Sequence, residues 1–490
     1  MKKNIALILI LLFSASCIGI KTPDYQLKRI ESYKEFTDYK EKNMFKVLPE
    51  KAYSLDECLN LALDNNLDIF AMKLEQAVSD EKAMAHLLTA LPSLQTSYNH
   101  SIRNNEAGAT SKGIDDGLES LRASKSSDKE IGSFRLEMAL SSLDFGLAYI
   151  NKHFENNQKK KKELLRKKAE RELKFQVVQA FYSVAAAQYV LEQANSEIIK
   201  NKETLAKVEN LFEKQHISRF DLLRFKKKFL DTCRQLREYE RSHENYCLSL
   251  TALLGLYPDR NIQLDLSCFV RNQNTDRFQL NYQPPAYEVL EKNALHLREE
   301  LIEMDIESHI SLLKEKSELL KIFPNVRLFA AYNKSSNSFL YNSNWSEAGF
   351  NVLGDFLKIP SHLKNMSAEE KQRTVIKYKQ FSAMVNIIAQ LRIASANIEE
   401  VKERLSLKED IYKIVQEESE LTREAVKKGS RNQLDAIEKD IDLVMAHIQR
   451  TAAFANYNVA LHRLLSISVY SDENLRKLPS SNKDIVNSHD

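Results

Sequence analysis

The stretch that decides the fold is Leu55–Tyr98, with the sequence LDECLNLALDNNLDIFAMKLEQAVSDEKAMAHLLTALPSLQTSY. A counterpart runs from Tyr287 to Tyr332. Each stretch begins with a helix-forming run of roughly 35 residues, reaches an apolar-proline step, and continues into a short strand-like segment. The proline steps are Leu91-Pro92 and Phe323-Pro324. Self-similarity on this scale indicates a chain made by internal duplication.

The two halves also match towards their ends. Gln215–Asp221 (QHISRFD) corresponds to Gly429–Asp435 (GSRNQLD), and Leu253–Leu256 (LLGL) corresponds to Leu464–Ile467 (LLSI). The first half is longer, and we assign its extra residues to the polar, Gly- and Ser-rich segment Asn104–Asp128 as an exposed loop. We therefore predict a first repeat at residues 53–257, a connector at 258–285, a second repeat at 286–468 and a tail at 469–490.

Composition indicates a folded, helix-rich chain. Of 490 residues, 43% are hydrophobic and 28% charged, which argues against global disorder. The 71 basic and 68 acidic residues are mixed, so nothing suggests a nucleic-acid partner. Proline is absent between Pro92 and Pro258 and between Pro360 and Pro479, which favours very long helices.

The expected helices carry heptad spacing on both sides of the duplication. The first half shows Leu222, Phe225 and Phe229, and the second half shows Ile437, Ile441, Val444 and Ile448. Such spacing buries one stripe of each helix against a neighbouring helix. The fold class we predict is mainly α, with long coiled-coil helices.

Four short segments alternate between apolar and polar residues and are predicted to be strands. They are Leu94–Tyr98, Phe134–Leu140, Val326–Ala330 and Ala348–Val352. One apolar and one polar face is what a strand of a membrane barrel requires. Four strands cannot close a barrel, since the smallest contain about eight. We therefore expect other copies of the chain to complete the sheet.

The N-terminus has the features of an export signal. Lys2 and Lys3 precede the apolar run Ile5–Phe13, and Ser14-Ala15-Ser16 stand directly before Cys17. We predict a signal peptide at residues 1–16, acylation of Cys17 (palmitate), and a lipid-anchored extended segment at 17–52. An ordinary secretory signal is the alternative. The remaining cysteines, Cys58, Cys233, Cys247 and Cys268, are expected to be unpaired.

The order of these motifs resembles the TolC-like outer membrane efflux protein (OEP) family, lipoprotein type. The resemblance covers Tyr53–Ser468 and includes the strand LPSL, a Leu143–Gly146 (LDFG) turn, two long helical hairpins and their duplication. It implies a homotrimer whose copies each give four strands to a 12-stranded outer-membrane barrel and helices to a periplasmic α-barrel. It also implies a periplasmic adaptor protein and an inner-membrane pump as partners, contact with outer-membrane lipid, and no cofactor.

Three acidic residues form the first candidate site. Asp435, Glu438 and Asp442 are spaced i, i+3 and i+7, which places them on one helix face. By resemblance, Asp435 and Glu438 match the paired acidic positions that line the family's closed entrance. Three copies around an axis would stack these carboxylates in rings that favour cations. The first half has Arg224 where Glu438 stands, so only the second half would line a constriction.

A structural interpretation of the same region stays open. Ser218 with Asp221, and Asn432 with Asp435, have the spacing of a helix N-cap and its third residue, so each Asp could be a helix-cap carboxylate. The turns themselves are candidates for adaptor docking, or are ordinary hairpin loops. Their residues are Gln215, His216, Ile217, Ser218, Gly429, Ser430, Arg431 and Asn432. Gln215 replaces the glycine usual in the family.

Two surface features allow a membrane-related or a neutral interpretation. The basic run Lys159–Lys168 could meet anionic headgroups, or it could be a solvated helix face. Trp345 and Tyr341 would suit an aromatic belt, or they could be loop residues.

The sequence shows no catalytic or phosphate-binding motif, and we predict a protein that is not an enzyme. The competing hypothesis is a periplasmic coiled-coil scaffold lipoprotein without channel activity.

Overall fold

The computed structural model describes residues 24–44, 51–110, 112, 114–119, 122, 124–214, 217–258, 262–269, 276–280 and 284–470. Cys17, Gln215 and His216 lie outside these residues, as do the predicted signal peptide and residues 471–490 of the predicted tail. The chain divides into two compact units. Unit 1 comprises Met1–Asn66, Gln176–Val270 and Leu421–Met445, and unit 2 comprises Leu67–Phe175, Arg271–Glu420 and Ala446–Asp490.

The helices repeat in order and in length. Helix α1 is Tyr25–Tyr39. The first repeat contains α2 (Leu55–Asn65), α3 (Leu67–Leu88), α4 (Ser142–Glu213) and α5 (Arg219–Leu253). The second contains α6 (Tyr287–Leu297), α7 (Glu299–Leu320), α8 (Ile359–Lys427) and α9 (Gln433–Ile467). Equivalent helices have 11 and 11, 22 and 22, 72 and 69, and 35 and 35 residues, so the duplication is preserved in the fold.

Each repeat opens with two helices instead of the single helix of roughly 35 residues that the sequence predicts. The break falls at Asn66 (ψ 119°) and at Arg298 (ψ 130°), whose extended backbone ends one helix before the next begins. Neither position has a glycine or proline to indicate it. A second difference is that Leu143–Gly146, expected as a turn, already lies in the first turns of α4.

The four predicted strands are present and form one antiparallel sheet in unit 2. The strands are β1 (Ser93–Ile102), β2 (Ala107–Ala109), β3 (Ser124–Ser127), β4 (Glu130–Ser141), β5 (Asn325–Ser335) and β6 (Asn344–Leu353). The sheet order is β1-β4-β5-β6, so the central pair joins the two repeats. Within the segment expected as a loop, β2 and β3 form a small separate hairpin.

The core of unit 1 lies where the hairpin helices begin and end. Val208 of α4, Phe225 of α5 and Ile441 of α9 are fully buried in one cluster. The rings of Phe225 and Phe229 stack with centroids 6.1 Å apart. Ile217, Leu222 and Leu434 complete the buried cluster. Leu222, Phe225 and Phe229 of α5 and Ile441 of α9 are predicted heptad positions, so the coiled-coil interpretation of both helices is confirmed.

The core of unit 2 contains a buried cation as well as apolar clusters. Ala294, Leu301 and Ile387 pack together from α6, α7 and α8. Arg450 of α9 is 1% exposed, and its guanidinium lies 3.5 Å from the centre of the Tyr412 ring. An aromatic face at this distance stabilises the buried charge.

The long hairpin helices of both repeats end in the same way. Gly255 has φ +70° and Val469 has φ +50°. In each case the residue that follows donates its N–H to the carbonyl five residues earlier, Leu256 to Thr251 and Tyr470 to Leu465. This is a Schellman helix end. Gly255 is therefore equivalent to Val469, and the pairing of LLGL with LLSI is wrong by three residues.

None of the four described cysteines forms a disulfide: Cys58, Cys233, Cys247 and Cys268. Burial raises the pKa of the Cys58 and Cys268 thiols to about 12, so both stay protonated and unreactive. No helix in the described part of the chain has the length and apolarity needed to cross a membrane.

Candidate functional site

The sheet of unit 2 has two chemically different faces. Side chains alternate along each strand, so cross-strand partners share a face. The pairs Thr96–Leu136 and Met138–Ala330 lie on one face, and the pairs Gln95–Glu137 and Arg135–Asn333 lie on the other. The apolar face also carries exposed side chains from all four strands: Leu94, Tyr98, Phe134, Leu140, Val326, Leu328, Phe350 and Val352. An apolar face this exposed needs an apolar surrounding.

The polar face is organised by a charge cluster that crosses three strands. Arg135 of β4 donates from Nη2 to Glu137 Oε2 at 2.7 Å and from Nη1 to Asn333 Oδ1 at 3.1 Å. It also pairs with Glu347 of β6, while Arg327 of β5 pairs with Glu137. Two arginines and two glutamates therefore compensate one another. The cluster fixes the register of β4, β5 and β6 and adds no net charge to this face.

Both outer strands of the sheet have an edge without a partner in the described chain. The ladder starts at β1 and stops at β6, and each of these strands has 10 residues. An open edge of this length presents a row of free N–H and C=O groups and pairs readily with another strand. Both edges are therefore chemically able to pair with a further strand.

The predicted acidic residues lie in unit 1, on the first three turns of α9. Asp435 is half-buried in the first turn. Glu438 accepts a hydrogen bond from Arg224 Nε at 3.3 Å, and Asp442 Oδ1 lies 2.7 Å from Lys228 Nζ. Two of the three carboxylates are thus compensated by cations of α5.

Sequence analysis did not predict Arg224 and Lys228 as partners of these carboxylates, although the spacing of the charges indicated the pairing. Arg224 and Lys228 follow Asp221 at the same intervals at which Glu438 and Asp442 follow Asp435. Because α5 and α9 are equivalent helices packed in one cluster, equal intervals place opposite charges side by side. The charge cluster on the sheet was missed for a different reason, since Glu347 is far from Arg135 in sequence.

The two hairpin turns are held by different caps. In the first, Ser218 Oγ accepts from the N–H of Asp221 at 3.1 Å and donates to Asp221 Oδ2 at 2.6 Å. In the second, Asn432 Oδ1 accepts from the N–H of Leu434 at 3.4 Å. Gly429 (φ +73°) ends α8, and Ser430 donates its N–H to Ala425 O at 2.9 Å.

The exposed side chains of the turns are available to a partner. Ser218, Gly429, Ser430, Arg431 and Asn432 are exposed, whereas Ile217 belongs to the buried cluster. Ile217 therefore anchors the first turn from within.

The basic run Lys159–Lys168 is paired within unit 2. Its lysines face carboxylates of α3 and α7: Lys159 with Asp80 at 2.8 Å, Lys161 with Glu303 at 3.0 Å, and Lys168 with Glu300 at 3.2 Å. This favours a paired helix face over a lipid-binding patch.

Trp345 lies opposite Asn333, on the polar face of the sheet, which is the wrong face for an aromatic belt. Tyr341 is fully exposed between β5 and β6.

The described residues contain no group of three or more His, Cys, Asp or Glu side chains that could hold a metal ion. The tip carboxylates that have cationic partners are ion pairs. The turn region and the polar face of the sheet each place paired charges on a surface.

Two repeats that each contain a long helical hairpin and together contribute one four-stranded sheet are the features of a TolC-like fold. The chain is similar to the open-state MtrE outer membrane channel of Neisseria gonorrhoeae, with TM-score 0.63, 14% identity, and coverage of 87% of this chain and 94% of that chain. It is similar to the Campylobacter jejuni CmeC outer membrane channel, with TM-score 0.64, 13% identity, and coverage of 86% and 88%. The outer membrane protein VceC of Vibrio cholerae gives TM-score 0.63, 11% identity, and coverage of 84% and 95%.

No protein-family model matches the sequence, and no curated protein sequence matches it. The predicted resemblance to TolC-like outer-membrane efflux proteins is confirmed at the level of the fold, as is the mainly helical class with long helices and a few strands.

Proposed function

We propose that this chain is one protomer of an outer-membrane channel through which compounds leave a bacterial cell. The observation that carries the proposal is the sheet of unit 2, which has one apolar exposed face, one polar face and two open edges. Those properties suit a strand set whose apolar face meets lipid and whose polar face meets a water-filled duct.

Closure of that duct requires several copies. A four-stranded sheet is about half the smallest known barrel. Three copies give the 12-stranded barrel that the family resemblance implies, with the open edge of β1 in one copy pairing with β6 of the next. The long hairpins of both repeats then form a periplasmic tube. MtrE and CmeC, which share the fold, are described as outer membrane channels, and this supports the assignment.

The assembly we propose is a tripartite efflux or type I secretion system. In it the channel is a passive duct. A periplasmic adaptor protein connects the channel to an inner-membrane pump, and the pump supplies the energy for transport. The exposed turn residues Ser218 and Gly429–Asn432 are the surfaces proposed for the adaptor, together with Gln215 and His216. No bond is made or broken by the channel, so the proposal includes no enzymatic activity.

Attachment to the outer membrane has two proposed components. The strands cross the bilayer, and an acyl group on Cys17 anchors the mature N-terminus on the periplasmic side. Neither component requires a transmembrane helix.

The decisive experiment combines oligomer size with conductance. Full-length protein purified in detergent is expected to elute as a trimer and to produce stepwise currents in planar bilayers. A monomer without currents would reject the channel and favour the scaffold lipoprotein. A trimer without currents would support the proposed oligomer but contradict an open, conducting duct.

A further inference from the structure

A short segment fastens the connector between the two repeats to the second hairpin. The segment is Asp276–Phe278, with the sequence DRF, and it is called here the strap. The strap and the helix residues it contacts belong to unit 2. The N–H of Phe278 donates to Glu409 Oε1 of α8 at 2.7 Å, and the Phe278 ring stacks on Phe454 of α9 with centroids 4.4 Å apart. The strap therefore contacts both helices of the hairpin.

The strap lies against Arg450, the buried cation of α9. Arg450 Nη1 donates to the main-chain oxygen of Asp276 at 3.2 Å and lies 3.4 Å from Asp276 Oδ2. Asp276 has φ +51°, a conformation that is uncommon for residues other than glycine. The Arg450 guanidinium lies 5.0 Å from the centre of the Phe278 ring and 3.5 Å from the centre of the Tyr412 ring. Arg450 thus holds the strap through its backbone and through an aromatic face.

The first repeat packs without this arrangement. His447 and Arg450 of α9 are equivalent to Cys233 and Leu236 of α5, and Leu236 is buried. A leucine therefore meets the packing needs of the equivalent hairpin. Because burial of a cation costs free energy unless its partners compensate it, packing of the hairpin alone does not explain Arg450. Its polar contacts serve the strap.

His447 lies beside Arg450 on the same helix. Arg450 Nη2 is 3.3 Å from His447 Nδ1. A guanidinium has only donors, so Nδ1 must accept the hydrogen bond, and the imidazole is neutral with its proton on Nε2. A second proton would make Nδ1 a donor that faces a donor, and it would place a positive charge beside a cation that is 1% exposed. Protonation of His447 is therefore incompatible with the present position of Arg450.

We propose that the strap is an acid-released latch between α8 and α9, with His447 as the group that takes up the proton. Neutral His447 accepts a hydrogen bond from Arg450, and Arg450 holds Asp276. Once His447 is protonated, the two cations repel, Arg450 withdraws from Asp276, and the strap leaves the hairpin. Histidine is the side chain whose charge ordinarily changes in mildly acidic solution. The latch follows from the fold of unit 2 and does not depend on the proposed channel.

Other charged and titratable groups surround the latch. Tyr412 of α8 is nearest to the imidazole, with ring centroids 5.8 Å apart. Lys408 of α8 donates to Gln449 of α9 at 2.7 Å. The strap contributes Asp276 and Arg277, α8 contributes Glu409 and Asp410, and α9 contributes Arg450.

Glu409 is the second group of the latch that responds to acid. Burial raises the pKa of Glu409, although the N–H of Phe278 and the charges of Arg277 and Arg450 act to lower it. A raised carboxyl pKa means that the closed strap binds this proton more tightly than an open strap does. Glu409 by itself therefore favours the closed latch as the pH falls. Its effect is opposite in sign to that of His447, so variants can separate the two groups.

Amide hydrogen exchange of Phe278 tests the latch, because this N–H bonds to Glu409 only when the strap is closed. The full chain in detergent is compared at about pH 7.5 and about pH 5.5, the range in which imidazoles take up a proton. Each rate is divided by the rate of the unfolded chain at the same pH, which removes the intrinsic effect of pH on exchange. The amide of Leu264, which donates to Gln188 Oε1 at 3.1 Å, reports whether the fold persists.

We expect the protection of the Phe278 amide to fall at least tenfold at the lower pH, while that of Leu264 is retained. His447→Gln has a side-chain oxygen that can accept from Arg450 and does not bind a proton, so it should keep Phe278 protected at both pH values. His309→Gln, at an exposed histidine of α7, should behave like the unmodified protein.

Several results would overturn the latch. They include equal protection of Phe278 at both pH values in the unmodified protein, and the same acid-induced loss in His447→Gln. Low protection in His447→Gln at both pH values would also contradict it, because a neutral acceptor should hold Arg450. A parallel loss at Leu264 would indicate unfolding instead of strap release. A loss that disappears in Glu409→Gln but persists in His447→Gln would assign the proton to Glu409 and reject the proposal.

Discussion

Arg224 and Glu438 occupy equivalent positions of the two repeats, and their side chains are joined, with Arg224 Nε 3.3 Å from Glu438 Oε1. One turn further on, Lys228 and Asp442 repeat the arrangement at 2.7 Å. A carboxylate ring that selects cations needs carboxylates without cationic partners. Here Glu438 and Asp442 are both compensated within the chain. The selectivity of the proposed channel entrance should therefore depend on α5 as much as on α9.

The first prediction follows from these pairs. Replacing Arg224 and Lys228 together by alanine should increase cation selectivity, because Glu438 and Asp442 then carry unpaired charge. Asp435→Ala with Glu438→Ala should shift selectivity in the opposite direction, since two acidic charges are removed and Arg224 keeps only its 3.8 Å pair with Asp221. Reversal potentials in a KCl gradient measure both effects. Lys226→Ala, which removes a pair with Glu209 instead, is the control. Identical reversal potentials in all variants would show that this region does not line the conduction path.

The second prediction concerns the two faces of β1. Thr96 lies opposite Leu136 on the apolar face, and its neighbour Gln95 lies opposite Glu137 on the polar face. Thr96→Arg should sharply reduce the protein recovered as membrane-inserted oligomer, because arginine facing lipid costs about 2–4 kcal/mol near the bilayer centre. Gln95→Arg should be tolerated beside Glu137. Membrane flotation followed by an unheated gel gives the readout. Equal recovery of both variants would mean that the faces are not in different environments.

A third prediction uses the equivalent helix ends. Val469 holds φ +50°, which is strained for a β-branched residue, so Val469→Gly should stabilise unit 2 by about 1 kcal/mol. Gly255→Val should do the reverse and cost more, because a Cβ at Gly255 would come within 2.8 Å of the Asn65 carbonyl oxygen. Thermal unfolding compares the two variants with the unmodified protein. Destabilisation by Val469→Gly would show that the left-handed conformation there is not strained.

The fourth prediction is a pH dependence centred on Glu318 of α7. Burial opposes ionisation, but hydrogen bonds with His362, Lys321 and Asn365 hold the pKa of Glu318 at about 2, below the ordinary 4.5. The folded state thus binds this proton more weakly than the unfolded chain. The stabilisation, up to about 3 kcal/mol, is present above pH 4.5 and is lost as the pH falls towards 2.

Chemical denaturation across that pH range tests the assignment. Glu318→Gln should lower stability at pH 7 and flatten the acid side of the profile. Glu288→Gln, at an exposed position of α6, should leave the profile unchanged. If the free energy of unfolding of Glu318→Gln depends on pH as it does in the unmodified protein, the acid sensitivity belongs to other carboxylates.

The fifth prediction concerns the anchor. Labelled palmitate should be incorporated into the full chain, and Cys17→Ala should abolish the label. Cys58→Ala, at a buried thiol in α2, should retain it. Label that persists in Cys17→Ala would indicate an ordinary secretory signal instead of a lipoprotein signal.

Periodicity was sufficient to predict the main elements of this fold. The heptads that contain Phe225 and Ile441, the proline-free intervals and the alternation around Leu136 each correspond to an observed helix or strand. These are patterns of burial repeated along one element, so a single sequence contains them.

Features that depend on one residue or on distant pairs could not be predicted in this way. Asn66 and Arg298 break their helices without a glycine or proline. Val469 adopts the conformation that Gly255 adopts, and the missing glycine led to the wrong pairing of the repeat ends. The cluster around Arg135 joins residues from both repeats, which only the antiparallel register brings together.

The pairing of β4 with β5 sets a lower limit on the size of a chain that can fold this way. A single repeat would contribute only the hairpin of β1 and β4, and an isolated two-stranded hairpin is marginally stable in water. Joining two repeats through Ser133–Ser141 and Arg327–Ser335 yields the smallest covalent piece with a multi-stranded sheet. A chain with only one repeat should therefore fail to form the four-stranded sheet. Co-expression of the two halves should restore the sheet.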